Sequence, residues 1–160
     1  MTGDEKRRFE GNVSDALLDV RTELMIAHVS SSLAPDPNQG NYAESYDSLS
    51  AENPVFDLDN RGPNNDEMIF RVLYSADGKF MSSTLTVYKA AYEAYSYGSP
   101  AARGYTLSLP RGYEGLVGLI MHESGHGVLL RNMTPAPFRP LPNFERVADD
   151  WVHIVWPGRF

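Results

Sequence analysis

His122, Glu123 and His126 are spaced H-E-x-x-H inside the stretch GLVGLIMHESGHGVLLRN, residues 115–132. On a helix, positions i and i+4 lie one turn apart on the same face, so both imidazoles can point at one centre. Two imidazoles so placed are a site for a divalent cation, and zinc is the ion that this spacing suits. Glu123 projects beside that face, within reach of a water at the ion without itself being a ligand. The chemistry that needs these residue types in these positions is hydrolysis. Zinc makes its water acidic enough to attack a carbonyl near neutral pH, and the glutamate takes the proton. Gly125, just before the second histidine, leaves room for another backbone to come close.

Such a site needs a third ligand, and the segment Asn143-Phe-Glu-Arg-Val-Ala-Asp-Asp-Trp151 offers one. Phe144, Val147, Ala148, Trp151 and Val155 form an apolar stripe at helical spacing. Glu145 and Asp149, at i and i+4, share another side of that helix. Glu145 is then the candidate third ligand, and Asp149 is placed to accept from the outer nitrogen of a histidine ligand and so fix its tautomer. Asp150, turned about 100° from Asp149, competes for the metal. The plainer alternative makes Glu145 and Asp149 the wet face of an amphipathic helix. Two histidines and one glutamate leave a fourth position open, which is the catalytic arrangement of zinc and not the structural one.

His122-Glu123-x-Gly125-His126 followed by Glu145-x-x-Ala148-Asp149-x-Trp151 and Pro157 resembles the ImmA/IrrE-type metallopeptidases, a gluzincin-like group. The approach Tyr105-Thr-Leu-Ser-Leu-Pro110 resembles that family too, and the likeness covers residues 104–157. It implies zinc on His122, His126 and Glu145, with Glu123 as general base. It also implies an intracellular endopeptidase acting on regulatory proteins, often repressors. Residues 1–100 carry no such likeness.

His153, Tyr105 and Tyr113 are the candidates for stabilising the oxyanion of a tetrahedral intermediate, His153 having a surface position as its alternative. Other chemistries lack their residues. Cysteine is absent, which removes thiolate zinc sites, disulfides and a cysteine nucleophile together. No G-x-S-x-G elbow or glycine-rich phosphate loop occurs. A net charge of −7 with no basic tract argues against nucleic acid or an anionic membrane as partner. The partner expected is a protein or peptide substrate; oligomeric state is not legible. The N-terminus lacks the apolar core of a secretory signal and the longest apolar run is too short to span a bilayer, so a cytoplasmic protein is expected.

These residues must be positioned by ordinary elements. At 160 residues the chain fits a single metallopeptidase-like domain, residues 1–160. An amphipathic helix is expected over 13–29, capped by Ser14 or Asp15. Residues 31–66, rich in Pro, Asn, Asp and Ser, read as a long irregular loop with one short helix around residues 43–49. Residues 68–74 and 80–88 flank Asp77-Gly78 as a β-hairpin. A short helix over 90–97 and a strand over 104–109 precede the site helix at 115–132. A proline-rich connector, 134–142, leads to a last helix that Asn143 caps and Pro157 ends. The fold class expected is α+β and zincin-like: an N-terminal helix, a small antiparallel sheet with a hairpin near 68–88, and two C-terminal helices carrying a zinc site. The function expected is that of a zinc-dependent endopeptidase. Its alternative is a non-catalytic regulatory or binding domain with a structural zinc.

Overall fold

In the structure, a computed structural model, residues 1–50, 54–77, 80–98, 107–132 and 144–160 are described. They form an α+β arrangement of five α-helices and a three-stranded sheet. The first helix, α1 (Gly3–Ser31), starts at Gly3 and not at residue 13. Thr2 and Glu5 make a reciprocal capping box: the Thr2 hydroxyl accepts from the Glu5 N–H at 3.1 Å, and the Glu5 carboxylate accepts from the Thr2 N–H. One turn on, Phe9 is buried and extends the apolar face of Val13, Ala16, Leu17, Val20 and Leu24.

The expected loop over 31–66 holds more structure than its composition suggests. It carries α2 (Gln39–Ser50), strand β1 (Val55–Asp57) and a 3-10 turn, Pro63–Asn65. Gly, Asn and Ser make α2 a poor helix former by propensity. Burial of Tyr42, Ser45, Ser48 and Leu49 on one face overrides that preference.

The hairpin is present as β2 (Met68–Tyr74) and β3 (Phe80–Tyr88), antiparallel, with Met68 opposite Val87 and Phe70 opposite Leu85. The sheet is mixed and not antiparallel throughout, because β1 pairs parallel with β3 in the order β1-β3-β2. Met68, Phe70, Leu85 and Val87 form its buried face, which α2 and α4 (Tyr113–Asn132) cover. Helix α3 (Lys89–Tyr97) follows β3 and stops at Gly98, whose φ of +89° favours glycine. Of the strand expected over 104–109, residues 107–109 are in no strand and 104–106 lie outside the described residues. The connector over 134–142 and the cap Asn143 also lie outside them. The last helix is α5 (Phe144–Val155), packed on α4. Among the described residues no helix is long and apolar enough to cross a membrane.

Candidate metal centre

The site forms where α4 and α5 pack. Helix α4 is buried along most of its length: Leu116, Val117, Ile120, Met121, His122, Glu123 and His126 are all inside. Close packing on α4 depends on two glycines. A Cβ on Gly125 would lie 3.0 Å from the Trp151 Cβ and 3.1 Å from the Ala148 Cα, so the absent side chain is what lets α5 come this near. On Gly127 it would meet Ser48 Oγ at 2.8 Å and the Phe70 ring at 3.0 Å, so α2 and β2 also seat against bare backbone.

That approach brings Glu145 and Asp149 of α5 to the histidines of α4. His122 Nδ1 and Asp149 Oδ1 are 2.7 Å apart, with Asp149 completely buried. His122 Nε2 lies 2.8 Å from Glu145 Oε2, His126 Nε2 lies 3.3 Å from the same oxygen, and the two Nε2 atoms are 3.2 Å apart. The imidazoles meet edge to face, at 89°. The coordinating atoms of His122, Glu123 and His126 also fall within 4.8 Å of one another, a buried group that could hold a metal ion.

The donor set fits a cation on its own chemistry. A carboxylate only accepts, so His122 gives its Nδ1 hydrogen to Asp149. The Nε2 lone pair of a neutral His122 then faces an oxygen lone pair of Glu145. His126 Nε2 is directed at the same spot. Such a triad repels itself unless a positive centre, proton or metal, sits among the three atoms. In tetrahedral coordination with bonds of 2.0–2.1 Å, ligand atoms stand about 3.3 Å apart. Two of the three edges here, 3.2 and 3.3 Å, meet that value, and the third, between His122 and Glu145, is shorter at 2.8 Å.

The electrostatics follow from burial and proximity. Burial alone would lower the His122 pKa, but the hydrogen bonds of Asp149 and Glu145 and the nearby Glu123 charge outweigh it and raise the value to about 10. Glu123 is pushed up to about 7, foremost by burial; the two histidines oppose the shift, and Glu145 and Glu67 add to it. For Glu145, burial works upward, yet the two histidines hold its carboxyl well below the usual range. Glu123 is thereby poised near neutrality, where a group that both takes and returns a proton works best.

The donors open into a cleft of about 120 Å³. One wall is the start of β2, with Asp66 and Glu67 before it; the other carries Leu107 and Leu109. Sequence reasoning missed these walls. Leu119 alone had a readable signal, standing three residues before His122 and four before Glu123 on the same helix face. Asp150, the rival ligand, is exposed and does not line the cleft, whereas Glu145 and Asp149 both do. Of the oxyanion candidates, Tyr113 points to α1, where its hydroxyl hydrogen-bonds Asp19; burial and that carboxylate raise its pKa. Neither it nor half-buried His153 lines the cleft, and Tyr105 lies outside the described residues.

Compared with family models, with curated proteins and with solved structures, the chain finds no match. The site therefore rests on its own geometry.

Proposed function

We propose that this chain is a zinc-dependent peptide hydrolase with His122, His126 and Glu145 as metal ligands, related to the ImmA/IrrE-type metallopeptidases its motifs resemble. The observation that carries this reading is the convergence of those three donor atoms beside a buried Glu123 in an open cleft. Two imidazoles and one carboxylate are the donors of a catalytic zinc, and the imidazoles also suit copper, iron and nickel. When bound, zinc would supply Lewis acidity toward a water and toward the scissile carbonyl.

The chain's own residues do the rest. Asp149 holds His122 with Nδ1 protonated, which keeps its Nε2 lone pair on the ligand side. Glu123 accepts a proton from the attacking water and returns it to the amine nitrogen as the C–N bond breaks. Among the described residues β2 is an edge strand, and its first residues line the cleft. An extended peptide can pair with such an edge, which supports a peptide as substrate.

Elemental analysis and a peptide-cleavage assay test the reading. Wild type should carry zinc and cleave an unstructured protein such as denatured casein. Glu123→Gln should keep the metal and lose about 10²–10⁴-fold in turnover, the usual range for a general base. Turnover unchanged in Glu123→Gln would sink the mechanism. Bound zinc with no turnover in wild type would instead favour a structural metal in a regulatory or binding domain.

A further inference from the structure

The solvent side of α1 changes character along its length. Over the first half it carries Asp4, Arg7, Arg8 and Asp15, as a surface helix should. From residue 18 the same side turns apolar: Leu18, Met25, Ile26 and Val29 recur at helical spacing, and Leu33 follows just past the C-cap, Ser32. The Leu33 N–H donates to the Ser30 oxygen at 3.1 Å, so the chain holds its helical path to that point. These five side chains are between 39% and 86% exposed. Thr22 is the polar residue among them, and no charge lies in the stripe. The two nearest charges lean back onto their own protomer, Asp19 bonding Tyr113 of α4 and Arg21 bonding Tyr46 of α2.

We propose that this stripe is the contact face of a homodimer, in which α1 packs antiparallel on α1 of a second copy. The inference does not depend on the hydrolase reading. The stripe is its own complement about a two-fold axis set between Met25 and Ile26. At 1.5 Å per residue, Leu18 and Leu33 stand about 11 Å to either side of that point, and Thr22 and Val29 about 5 Å. Turned end for end, one copy lays Leu18 against the partner's Leu33 and Thr22 against the partner's Val29. Met25 and Ile26 each meet their own counterpart. Such an isologous contact is how most homo-oligomers close. A parallel pair would instead set Arg7 and Arg8 on their own counterparts, like charge on like, whereas the antiparallel pair carries them past the end of the partner's helix. The five side chains expose on the order of 500 Å² of apolar surface, so pairing would take about 1,000 Å² from water, the lower end of a specific interface. A weak, micromolar dimer is the expected result. No residue of α1 lines the cleft at His122 and His126, so the two clefts would stay open.

Sedimentation of the full chain over about 1 to 500 µM tests the dimer, a range that brackets a micromolar constant. The mass should climb with concentration from 17.8 kDa toward twice that value. Ile26→Glu sets two carboxylates side by side at the two-fold axis and should weaken association about 100-fold or more, the scale on which facing like charges act in an interface. Leu73→Glu, an equally exposed site on β2, should leave association unchanged, with melting temperature as the check on folding. The chain has no cysteine, so introduced thiols report the direction of packing. Under mild oxidation Met25→Cys should link to itself and Leu18→Cys should not, because a disulfide needs Cα atoms within about 7 Å. A mixture of Leu18→Cys and Leu33→Cys should give the mixed dimer. A chain that stays monomeric at the top of the range overturns the proposal and leaves the stripe to a different protein. So does a dimer that Ile26→Glu does not weaken, or that Leu73→Glu weakens as much, since another face would then hold it. Self-linking of Leu18→Cys would overturn the antiparallel arrangement.

Discussion

Asp149 is fully buried, and its Oδ1 lies 2.7 Å from His122 Nδ1. A buried carboxylate without a partner is costly, so this pair must stay together in the native state. The consequence for the metal is indirect. In the proposed site Asp149 would donate nothing to the ion but would decide which His122 nitrogen is free to bind it. Asp149→Asn keeps the shape and an accepting oxygen while removing the charge. Zinc affinity should fall about 10–100-fold, the usual cost of losing such a partner. Competition against a chelating dye measures it, and unchanged affinity would mean the His122 tautomer is set by something else.

At the scale of elements, the site is an interface between α4 and α5, and Gly125 sets their separation. Alanine is the better helix former by about 1 kcal/mol, so a mid-helix glycine gives the sign of its own role. Gly125→Ala should nonetheless destabilise the fold by about 1–3 kcal/mol, as overpacking does, and weaken zinc binding as α5 is pushed outward. Gly11 of α1 has nothing within 4 Å of where a Cβ would sit, so Gly11→Ala should stabilise by up to about 1 kcal/mol. Denaturant melts of the two variants check the contrast, which fails if both move the same way. The same comparison explains what could be read from the chain. That these side chains could converge was legible from helical spacing, which puts His122 with His126 and Glu145 with Asp149 on shared faces and Glu123 beside the first. The hairpin was legible from its strand alternation around Asp77-Gly78. Helix α2 was only half legible, since its Ser45 and Ser48 are helical through burial, Ser48 against Gly127 of α4, and not by propensity. The parallel pairing of β1 with β3 is long-range and leaves no local signal. The capping box at Thr2 and Glu5 was readable as T-x-x-E, but the charges after it masked the apolar period that Phe9 begins.

For the molecule as a whole, the proposed site would link metal, protons and stability. In protein stripped of metal, His122 keeps its proton up to about pH 10, against 6.5 for the free side chain. The native state binds the extra proton between those values. Its stabilising share is therefore complete below pH 6.5 and is lost as pH rises through 10. Glu123 acts with the same sign lower down, between 4.5 and about 7. Glu145, held low, acts oppositely: its share is present above 4.5 and lost on acidification. Stripped protein should thus melt at lower temperature at each step from pH 6 to 10. Zinc-loaded protein, with a cation in place of the His122 proton, should hold its Tm over that range and gain about 4 kcal/mol at a thousandfold excess over Kd. Thermal melts with and without chelator check it, and a stripped Tm that is flat or rises with pH contradicts the assignment. The packing of α5 makes this easy to watch. The chain has two tryptophans, Trp151 within that helix, beside Gly125 and the Tyr42 ring, and Trp156 directly after it, under the Arg159 guanidinium. All of this chain's indole emission therefore comes from the one segment that closes the candidate metal centre. A shift in how that segment sits is written into the intrinsic fluorescence, with no label attached.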